Sequence, residues 1–295
     1  MTKDRDPLSV YRGRLMGLAY RMLGSMTDAE DVLQDAYLRC AETKWEEIRS
    51  AEAYLKTTVT RLCLDRLKSA RAQREIYVGP WLPEPIADTE TISPETALEL
   101  ADDLSFALLL TLERLSGAER AAFLLHDIFD TPFSEVATAL GKSESACRQL
   151  ASRARKSVRE NHATRKAVPS EHEALLTEFV GATASGNASR LLALLAENVV
   201  AYTDGGGVKT AALNPIIGAD KVARFFTGLA AKARRLELRV SFAPSVINGA
   251  PALLMYVDGE LDQTISIETD GKKIKTFYAV RNPEKLIGFS TNAAR

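Results

Sequence analysis

The chain has 295 residues, which is enough for two or three domains. Its 38 lysines and arginines are balanced by 39 aspartates and glutamates, so the overall charge argues against a uniformly basic nucleic-acid-binding protein. The three cysteines, Cys40, Cys63 and Cys147, are few and odd in number, which argues against a disulfide or metal framework. Neither a signal peptide nor an apolar run of membrane length is apparent. We therefore expect a cytoplasmic protein with no membrane partner, no metal and no cofactor.

The charges are unevenly distributed along the chain. Between Lys142 and Lys166 there are eight lysines or arginines and two glutamates. Between Glu75 and Ser105 there are eight acidic residues and no lysine or arginine. Local asymmetry of this kind indicates separate surfaces with different partners.

Amphipathic helices are predicted from the start of the chain to about Glu75. The second of these helices has apolar residues at helical spacing between Ala29 and Cys40. The same spacing turns four polar side chains outward: Glu30, Asp31, Gln34 and Asp35. Taken alone, these side chains are typical of a solvated acidic first turn, which the helix dipole favours.

A third helix, predicted from Ala53 to about Ala70, combines an apolar face with a basic one. Lys56 and Arg61 belong to the basic face. Trp45 lies in the loop before this helix, and an aromatic side chain beside a basic helix can stack on an unpaired base. The side chain of Trp45 can equally pack into the hydrophobic core, and both interpretations stay open.

Residues 76–105 are predicted to form a linker between two helical domains. The prolines and glycine of its centre, GPWLPEP, forbid a continuous helix. Trp81, Leu82 and Pro83 are apolar residues in an otherwise acidic stretch, which favours a docking segment whose apolar pair fills a pocket. A solvated spacer is the alternative, because acidic, proline-rich stretches are often no more than that.

Residues 131–155 are typical of two short helices joined by a tight turn. We expect Thr131 to cap the first helix, Gly141 to form the turn, and Ser143 to cap the second helix. Residues of the second helix at steps of four and three predict a buried face of small side chains. Its outward face carries Ser145, Arg148, Gln149 and Ser152, flanked by Arg153 and Arg155.

Such an outward face suits a DNA major groove. Arginine reads guanine edges, glutamine reads adenine edges, and the flanking cations hold phosphates. An ordinary helical hairpin with a solvated polar face has the same pattern, so this alternative stays open.

From about Ser170 onward the pattern changes to helices followed by strands. Three turn signals, Asn248-Gly249, Asp258-Gly259 and Asp270-Gly271, separate alternating apolar runs and predict a curved antiparallel sheet. A strand from Asn198 to Thr203 is predicted to end at Asp204, Gly205, Gly206 and Gly207. The predicted fold is therefore multidomain, with two all-α helical domains, the second containing a helix-turn-helix, and a C-terminal α+β domain shaped as a cone.

Three segments together resemble the extracytoplasmic-function sigma factors, which are promoter-specificity subunits of bacterial RNA polymerase. These segments are YRMLGSMTDAEDVLQDAYLR, AYLKTTVTRLCLDRLKSARAQRE, and the run from LERLSGAER to KSVR. The resemblance implies region two at 1–75, a linker at 76–107, region four at 108–166, and a further domain at 168–295.

The resemblance also implies partners for two of the surfaces. Glu30, Asp31, Gln34 and Asp35 would dock on the clamp helices of the largest polymerase subunit. Region four would contact the flap of the second-largest subunit and the minus-thirty-five element, and region two would contact the minus-ten element. We expect a monomer that binds core polymerase and promoter DNA.

The C-terminal part resembles the SnoaL-like, nuclear-transport-factor-like fold. Its combination with PWLPEP, the DGGG loop and the segment NPEKL resembles one subgroup of sigma factors with a fused domain of this fold. We expect the linker residues Trp81, Leu82 and Pro83 to contact the DGGG loop, Asp204–Gly207, and the segment Asn282–Leu286, which includes Pro283. Such a domain would regulate the factor in cis without a separate anti-sigma factor. In the subgroup a basic residue follows DGGG, whereas here Val208 precedes Lys209, so the basic contact is displaced or lost.

Two other functions were weighed. Catalysis in the cone is disfavoured, because no histidine follows His172 and because fold alone is weak evidence of chemistry. A one-component regulator that combines a helix-turn-helix with a ligand-binding domain is the main alternative. Region two with its acidic face discriminates against that alternative, since a stand-alone regulator has no use for it.

Overall fold

The computed structural model describes residues 7–41, 43–87, 104–161 and 168–290. The chain divides into two compact units, one made of residues 1–75 and 90–163 and the other of residues 76–89 and 164–295. The described part of the linker, residues 76–87, therefore belongs to the same unit as the C-terminal domain. The acidic remainder, residues 88–103, lies outside the described residues.

The described secondary structure of the first unit is all helical, with loops between the helices. Its helices are α1 (Pro7–Leu23), α2 (Met26–Ala41), α3 (Ala51–Glu75), α4 (Phe106–Glu113), α5 (Gly117–Phe123), α6 (Phe133–Leu140) and α7 (Glu144–Asn161). Leu18 of α1, Leu33 of α2 and Leu55 of α3 are buried, and burial of these faces stabilises the region-two core. The three predicted helices are present, and α3 extends beyond its predicted range at both ends.

Helices α6 and α7 form the predicted helix-turn-helix. Gly141 ends α6 in the left-handed conformation with φ 61°, as the turn requires. The amide of Ala146 donates to Ser143 Oγ at 3.2 Å, so Ser143 caps α7 as expected. The expectation that Thr131 caps α6 is wrong. Its buried hydroxyl donates to the carbonyl of Phe129 at 3.3 Å, and Pro132 occupies the cap position.

The second unit contains the α+β domain. Its elements are α8 (Pro169–Ser185), α9 (Ala188–Leu194), β1 (Leu195–Asp204), β2 (Ile216–Ile217), α10 (Ala219–Arg235), β3 (Val240–Ile247), β4 (Ala250–Val257), β5 (Glu260–Thr269), β6 (Ile274–Val280), a 3-10 turn (Pro283–Lys285) and α11 (Ile287–Ser290). Phe179, Phe226 and Phe277 meet in its core with ring centroids 4.9 Å apart. These aromatic contacts join α8 and α10 to the sheet.

The six strands form one mixed sheet in the order β2-β1-β6-β5-β4-β3. The prediction of an antiparallel sheet is correct except for β1 and β6, which pair in parallel. A parallel pair needs a long connection, and all of the chain from β2 to β5 lies between these two strands. This pairing places the end of β1, Asp204, beside the end of β6, Val280.

The turn signals gave two tight hairpins and one longer loop. Asn248-Gly249 joins β3 to β4 and Asp258-Gly259 joins β4 to β5, and all four residues have positive φ. At Asp270-Gly271 only the glycine has positive φ, and the connection between β5 and β6 is longer.

Candidate nucleic-acid interface and linker site

The outward face of α7 is open to solvent. Ser145, Arg148, Gln149, Ser152 and Arg153 are exposed, and Arg155 is half-buried. The opposite face, made of Cys147, Ala151 and Ala154, is fully buried. The small side chains of the buried face allow α7 to lie close to the rest of region four and to present its polar face outward.

Carboxylates accompany the three arginines of this face. The pairs are Arg148–Glu144 at 2.7 Å, Arg153–Glu119 at 3.1 Å and Arg155–Asp127 at 2.6 Å. Their carboxylates come from α7, from α5 and from the turn after α5. The excess of basic residues in this part of the sequence is therefore partly neutralised at the surface of the folded unit.

The outward face of α2 has the predicted composition. Glu30, Asp31, Gln34 and Asp35 are all exposed. Asp31 accepts a hydrogen bond from Arg66 of α3 at 2.6 Å, which ties the acidic face to the neighbouring helix.

The outward face of α2 also has an apolar part. Tyr37 and Leu38 lie in the second half of α2 and are 52% and 62% exposed. Their large exposed side chains beside the acidic residues give the face the mixed character of a docking surface. The apolar stripe predicted between Ala29 and Cys40 included Tyr37, and that prediction is wrong, because the Tyr37 side chain is exposed.

Arg66 also holds the start of α2. Its guanidinium donates to Asp28 at 2.7 and 2.9 Å. The hydrogen bonds that Arg66 donates to Asp28 raise the pKa of Arg66 above its ordinary value, and the bond that it donates to Asp31 adds to this rise. The basic face of α3 therefore supports region two internally as well as facing solvent.

Lys56 and Arg61 contact region four in this conformation. Lys56 is buried, pairs with Glu52 at 2.8 Å and donates to the carbonyl of Phe129 at 3.4 Å. The hydrogen bond from Lys56 lowers the pKa of Glu52. Arg61 donates to the carbonyls of Thr138 and Ala139 at 2.7 and 3.1 Å.

Arg61 thereby satisfies backbone carbonyls of the last turn of α6, which have no partner inside the helix.

Trp45 is half-buried and packs edge-on against Tyr54 with ring centroids 5.8 Å apart. The packing of α3 against the helix-turn-helix occupies Lys56 and Arg61, while their contact with DNA stays a prediction.

Asp204 is the centre of the linker site. Its fully buried carboxylate accepts hydrogen bonds from the hydroxyl of Tyr77 at 2.6 Å, the amide of Leu82 at 2.9 Å and the amide of Gly206 at 3.0 Å. The ammonium group of Lys285 lies 2.8 Å away. One carboxylate thus joins the linker, the glycine loop and the C-terminal segment.

Lys285 completes the site from the opposite side. Its ammonium group donates to the carbonyl of Leu82 at 2.5 Å and lies 4.4 Å from the ring centroid of Trp81. Asn282 donates to the hydroxyl of Tyr77 at 3.0 Å. Burial, together with the bond to Asp204, raises the pKa of Tyr77. The aromatic and apolar linker residues therefore surround a buried ion pair.

A second anchor lies at the end of β3. Ile86 and Asn248 exchange two hydrogen bonds of 2.8 Å, and Ala87 forms a single antiparallel bridge with Ile247. Leu82, Pro83 and Ile86 are buried. The linker is therefore held at two places on the C-terminal domain.

The glycine loop has no room for side chains. A Cβ atom on Gly205 would lie 2.0 Å from the carbonyl oxygen of Lys209, and one on Gly206 would lie 2.5 Å from the side chain of Asn282. Gly206 also has φ 63°, which favours glycine. Pro283 follows Asn282 and opens the short 3-10 turn that carries Lys285.

Lys209 is the first basic residue after the glycine loop. Val208 is 69% exposed, and Lys209 lies 3.6 Å from Asp262. Asp262 also pairs with Arg281 at 2.9 Å. Lys209 therefore makes a basic contact one residue later than the subgroup pattern.

Tyr77 was missing from the predicted site, whereas Lys285 lies within the predicted segment Asn282–Leu286 without having been singled out. Tyr77 lies just before the proline-rich centre of the linker. A phenol in the linker and an ammonium group in NPEKL were the available signals. Nothing in the local sequence, however, indicates that residues so far apart meet.

The described residues contain no cluster of histidine, cysteine, aspartate and glutamate arranged to hold a metal ion. Tyr202 of β1 stacks on Tyr278 of β6 with ring centroids 5.9 Å apart. Over the same described ranges, no helix is long and apolar enough to span a membrane.

Two family models match the helical part of the chain. Sigma-70 region 2 matches residues 8–73, and sigma-70 region 4 matches residues 105–158. The fold and these matches define a sigma factor, the class of subunit that gives bacterial RNA polymerase its promoter specificity. Within that class, the chain belongs to the extracytoplasmic-function sigma factors, as its relatives show.

The chain is similar to two sigma factors of Mycobacterium tuberculosis over nearly its whole length. It is 37% identical to the ECF RNA polymerase sigma factor SigJ, with 94% of this chain and 91% of SigJ covered. It is 32% identical to the probable ECF RNA polymerase sigma factor SigI, with 96% of each chain covered. The crystal structure of SigJ matches with a TM-score of 0.75 at 34% identity, covering 95% of this chain and 97% of SigJ. The resemblance drawn from the sequence is therefore confirmed.

Proposed function

We propose that this sigma factor directs core RNA polymerase to promoters through the α2 face, the α3 region and the α7 face, under control of the linker site. The observation that carries the proposal is the presence, in one chain, of an exposed acidic face on region two and an exposed polar recognition helix on region four.

The one-component regulator gains no support from the relatives, which are sigma factors over nearly their whole length. The decisive experiment adds the purified chain to core polymerase and asks whether transcription starts at promoters selected by this holoenzyme. Transcription equal to that of core polymerase alone would refute the proposal.

The α2 face supplies the polymerase contact in this proposal. It combines carboxylates with the exposed Tyr37 and Leu38, and polar complementarity favours a specific, salt-sensitive encounter. Its partner would be the clamp helices of the largest subunit. Contact of region four with the flap of the second-largest subunit belongs to the same proposal.

Reversing the charges of Asp31 and Asp35 is expected to weaken core binding by at least tenfold while the chain stays folded. Two lost contacts to cationic partners of about 1 kcal/mol each account for this factor. The exposed pair between Asp31 and Arg66 adds about 0–1 kcal/mol to stability, so its loss is tolerated. Titration with labelled core polymerase measures the affinity, and circular dichroism checks the fold.

A control places the same charge reversal at Glu173, an exposed residue of α8. This variant should bind core polymerase as the wild type does. If Asp31 and Asp35 variants also bound as tightly as the wild type, the acidic face would not be the docking surface.

The α7 face supplies the promoter contact. Arg148→Ala or Gln149→Ala is expected to change preference at one or two upstream base pairs, by about 1–3 kcal/mol each. Arg155→Ala should weaken binding to all sequences alike, since a phosphate contact carries no base preference. Competition binding of the holoenzyme to promoters with single base changes distinguishes the two results. An equal loss for every upstream variant with Arg148→Ala would contradict its role as a base reader.

Region two must be released from region four before it can use Lys56 and Arg61 on DNA. Both side chains now donate to backbone carbonyls of region four. We therefore assign the described conformation to a closed form in which the DNA-contacting residues of α3 are occupied. Core polymerase would favour the open form by binding the two regions at separate places.

The linker site gives the C-terminal domain a means of control in cis. The linker connects regions two and four, so a linker held on the C-terminal domain restricts how the two regions can separate. A tethered domain meets its target at an effective concentration in the millimolar range, so even a weak contact is populated without a separate partner. This supports control without a separate anti-sigma factor.

A further inference from the structure

Arg148 lies against an aromatic pair that no assigned function explains. The guanidinium carbon of Arg148 lies 5.1 Å from the ring centroid of Phe133, at the start of α6. On its other side Phe133 stacks on His126, with centroids 3.8 Å apart and planes 29° from parallel. We call His126 and Phe133 the aromatic shelf. The shelf and Glu144, one turn earlier on α7, hold the side chain of Arg148 from two directions.

The shelf depends on an irregular turn of the backbone. Residues Leu124–Ile128 form a π-helical turn that continues directly from α5. Such a turn inserts an extra residue and often marks a functional position. The ring of His126 is fixed there by a hydrogen bond of 3.0 Å between Nδ1 and the carbonyl of Thr131. A regular helix, without the extra residue, would rotate the side chain of His126 away from the ring of Phe133.

The neighbouring residue of the same turn faces α7 as well. Asp127 pairs with Arg155 at 2.6 Å, two turns beyond Arg148. The π-helical turn thus contacts Arg155 directly through Asp127, and it is connected to Arg148 only through the stack of His126 on Phe133. Two adjacent residues of one turn are in this way linked to two of the arginines on the outward face of α7.

We propose that Phe133 and His126 are positioning residues for base readout by Arg148. This proposal rests on the proposed function, in which α7 reads the upstream promoter element. A free arginine loses rotamer freedom when it meets a base edge, and a side chain already ordered against a ring avoids part of that loss. The stack of a guanidinium on an aromatic face supplies the attraction.

The test uses the complete chain with core polymerase and a DNA library randomised at the upstream element. The base pairs at which Arg148→Ala loses preference are identified first. Phe133→Leu, which keeps an apolar side chain but removes the ring, should lower discrimination at those same base pairs by roughly two- to tenfold. Phe133→Tyr should restore it. His126→Ala should give a smaller loss, and His126→Phe should restore the stack.

A stability control separates positioning from damage to the fold. Val136→Ala creates a cavity in the same helix at a fully buried side chain outside the aromatic shelf. It should lower the melting temperature without changing base preference. Phe133→Leu in the Arg148→Ala background should have no further effect on base preference, because the positioned group is absent.

Two negative outcomes are distinguishable. If Arg148→Ala changes no base preference, α7 does not read DNA as proposed, and the proposed function is at fault. If Arg148→Ala changes the preference but Phe133→Leu and His126→Ala do not, the shelf has no positioning role and this inference is overturned.

Discussion

Replacing Asp204 with alanine is expected to release the Tyr77–Leu82 part of the linker from the C-terminal domain, while the anchor between Ile86 and Asn248 stays in place. The carboxylate accepts bonds from the linker at Tyr77 and Leu82, and it neutralises Lys285, whose side chain is 12% exposed. Removing one partner of a buried ion pair leaves an uncompensated charge and typically costs about 3–5 kcal/mol. Hydrogen exchange at the Leu82 amide measures the detachment directly, because this amide donates to Asp204.

Asp262→Ala is the matched control for this experiment. Asp262 is a second buried carboxylate of the same domain, and it pairs with Arg281 without touching the linker. Its loss should weaken the domain while the Leu82 amide keeps more protection than in the Asp204 variant. Equal protection of Leu82 in Asp204→Ala and in the wild type would show that another contact anchors the linker.

The transcriptional consequence follows from the same contact. If the linker site stabilises the closed form, Asp204→Ala should raise the affinity for core polymerase. If the linker site also assists activity after opening, transcription can fall while this affinity rises. Measuring both quantities separates control of opening from a later role.

Gly205→Ala is expected to disrupt the glycine loop. The added Cβ atom would lie 2.0 Å from the carbonyl oxygen of Lys209, a backbone atom that cannot move alone. The loop must shift, and overpacking of this kind costs about 1–3 kcal/mol or more. Because Gly205 directly follows Asp204 in the chain, this shift of the loop should also weaken the hydrogen bonds between Asp204 and the linker.

Gly228→Ala provides the control, because a Cβ atom there meets nothing within 4 Å and the residue lies inside α10. That change should stabilise the helix by up to about 1 kcal/mol.

The chain has two tryptophans, so a Trp45→Phe background leaves Trp81 as the single reporter of the linker site. Denaturant titration of Trp81 fluorescence should show a lower midpoint for Gly205→Ala only. An unchanged midpoint would mean that the loop adapts without affecting the linker.

The local parts of the fold were predictable from short patterns. Gly141 and Ser143 marked the turn of the helix-turn-helix, and Asn248-Gly249 marked a hairpin, because each depends on the backbone preferences of one or two residues. The outward face of α7 followed from helical spacing. The expectation for Thr131 failed because Pro132 occupies the cap position of α6, and the Thr131 hydroxyl instead donates to the carbonyl of Phe129.

The long-range contacts were predictable only in outline. Trp81 and Leu82 were expected at the glycine loop, and the structure places them there. The position of Lys285 between Asp204 and Trp81 depends on the parallel pairing of β1 with β6, which no local pattern indicates. Likewise, the spacing that put Lys56 on a basic face could not show that region four buries its side chain.

The arginine–carboxylate pairs of α7 affect how DNA binding should respond to salt. A free cation that meets a phosphate releases counterions from DNA, and this release makes affinity fall steeply with salt concentration. Arg148, Arg153 and Arg155 each have a carboxylate partner, which they would exchange for DNA in the proposed complex. Each exchange returns an uncompensated carboxylate that must recruit cations from solution. This uptake of cations by the carboxylates opposes the release of counterions from DNA. Promoter binding by region four should therefore depend less on salt concentration than its number of arginines suggests.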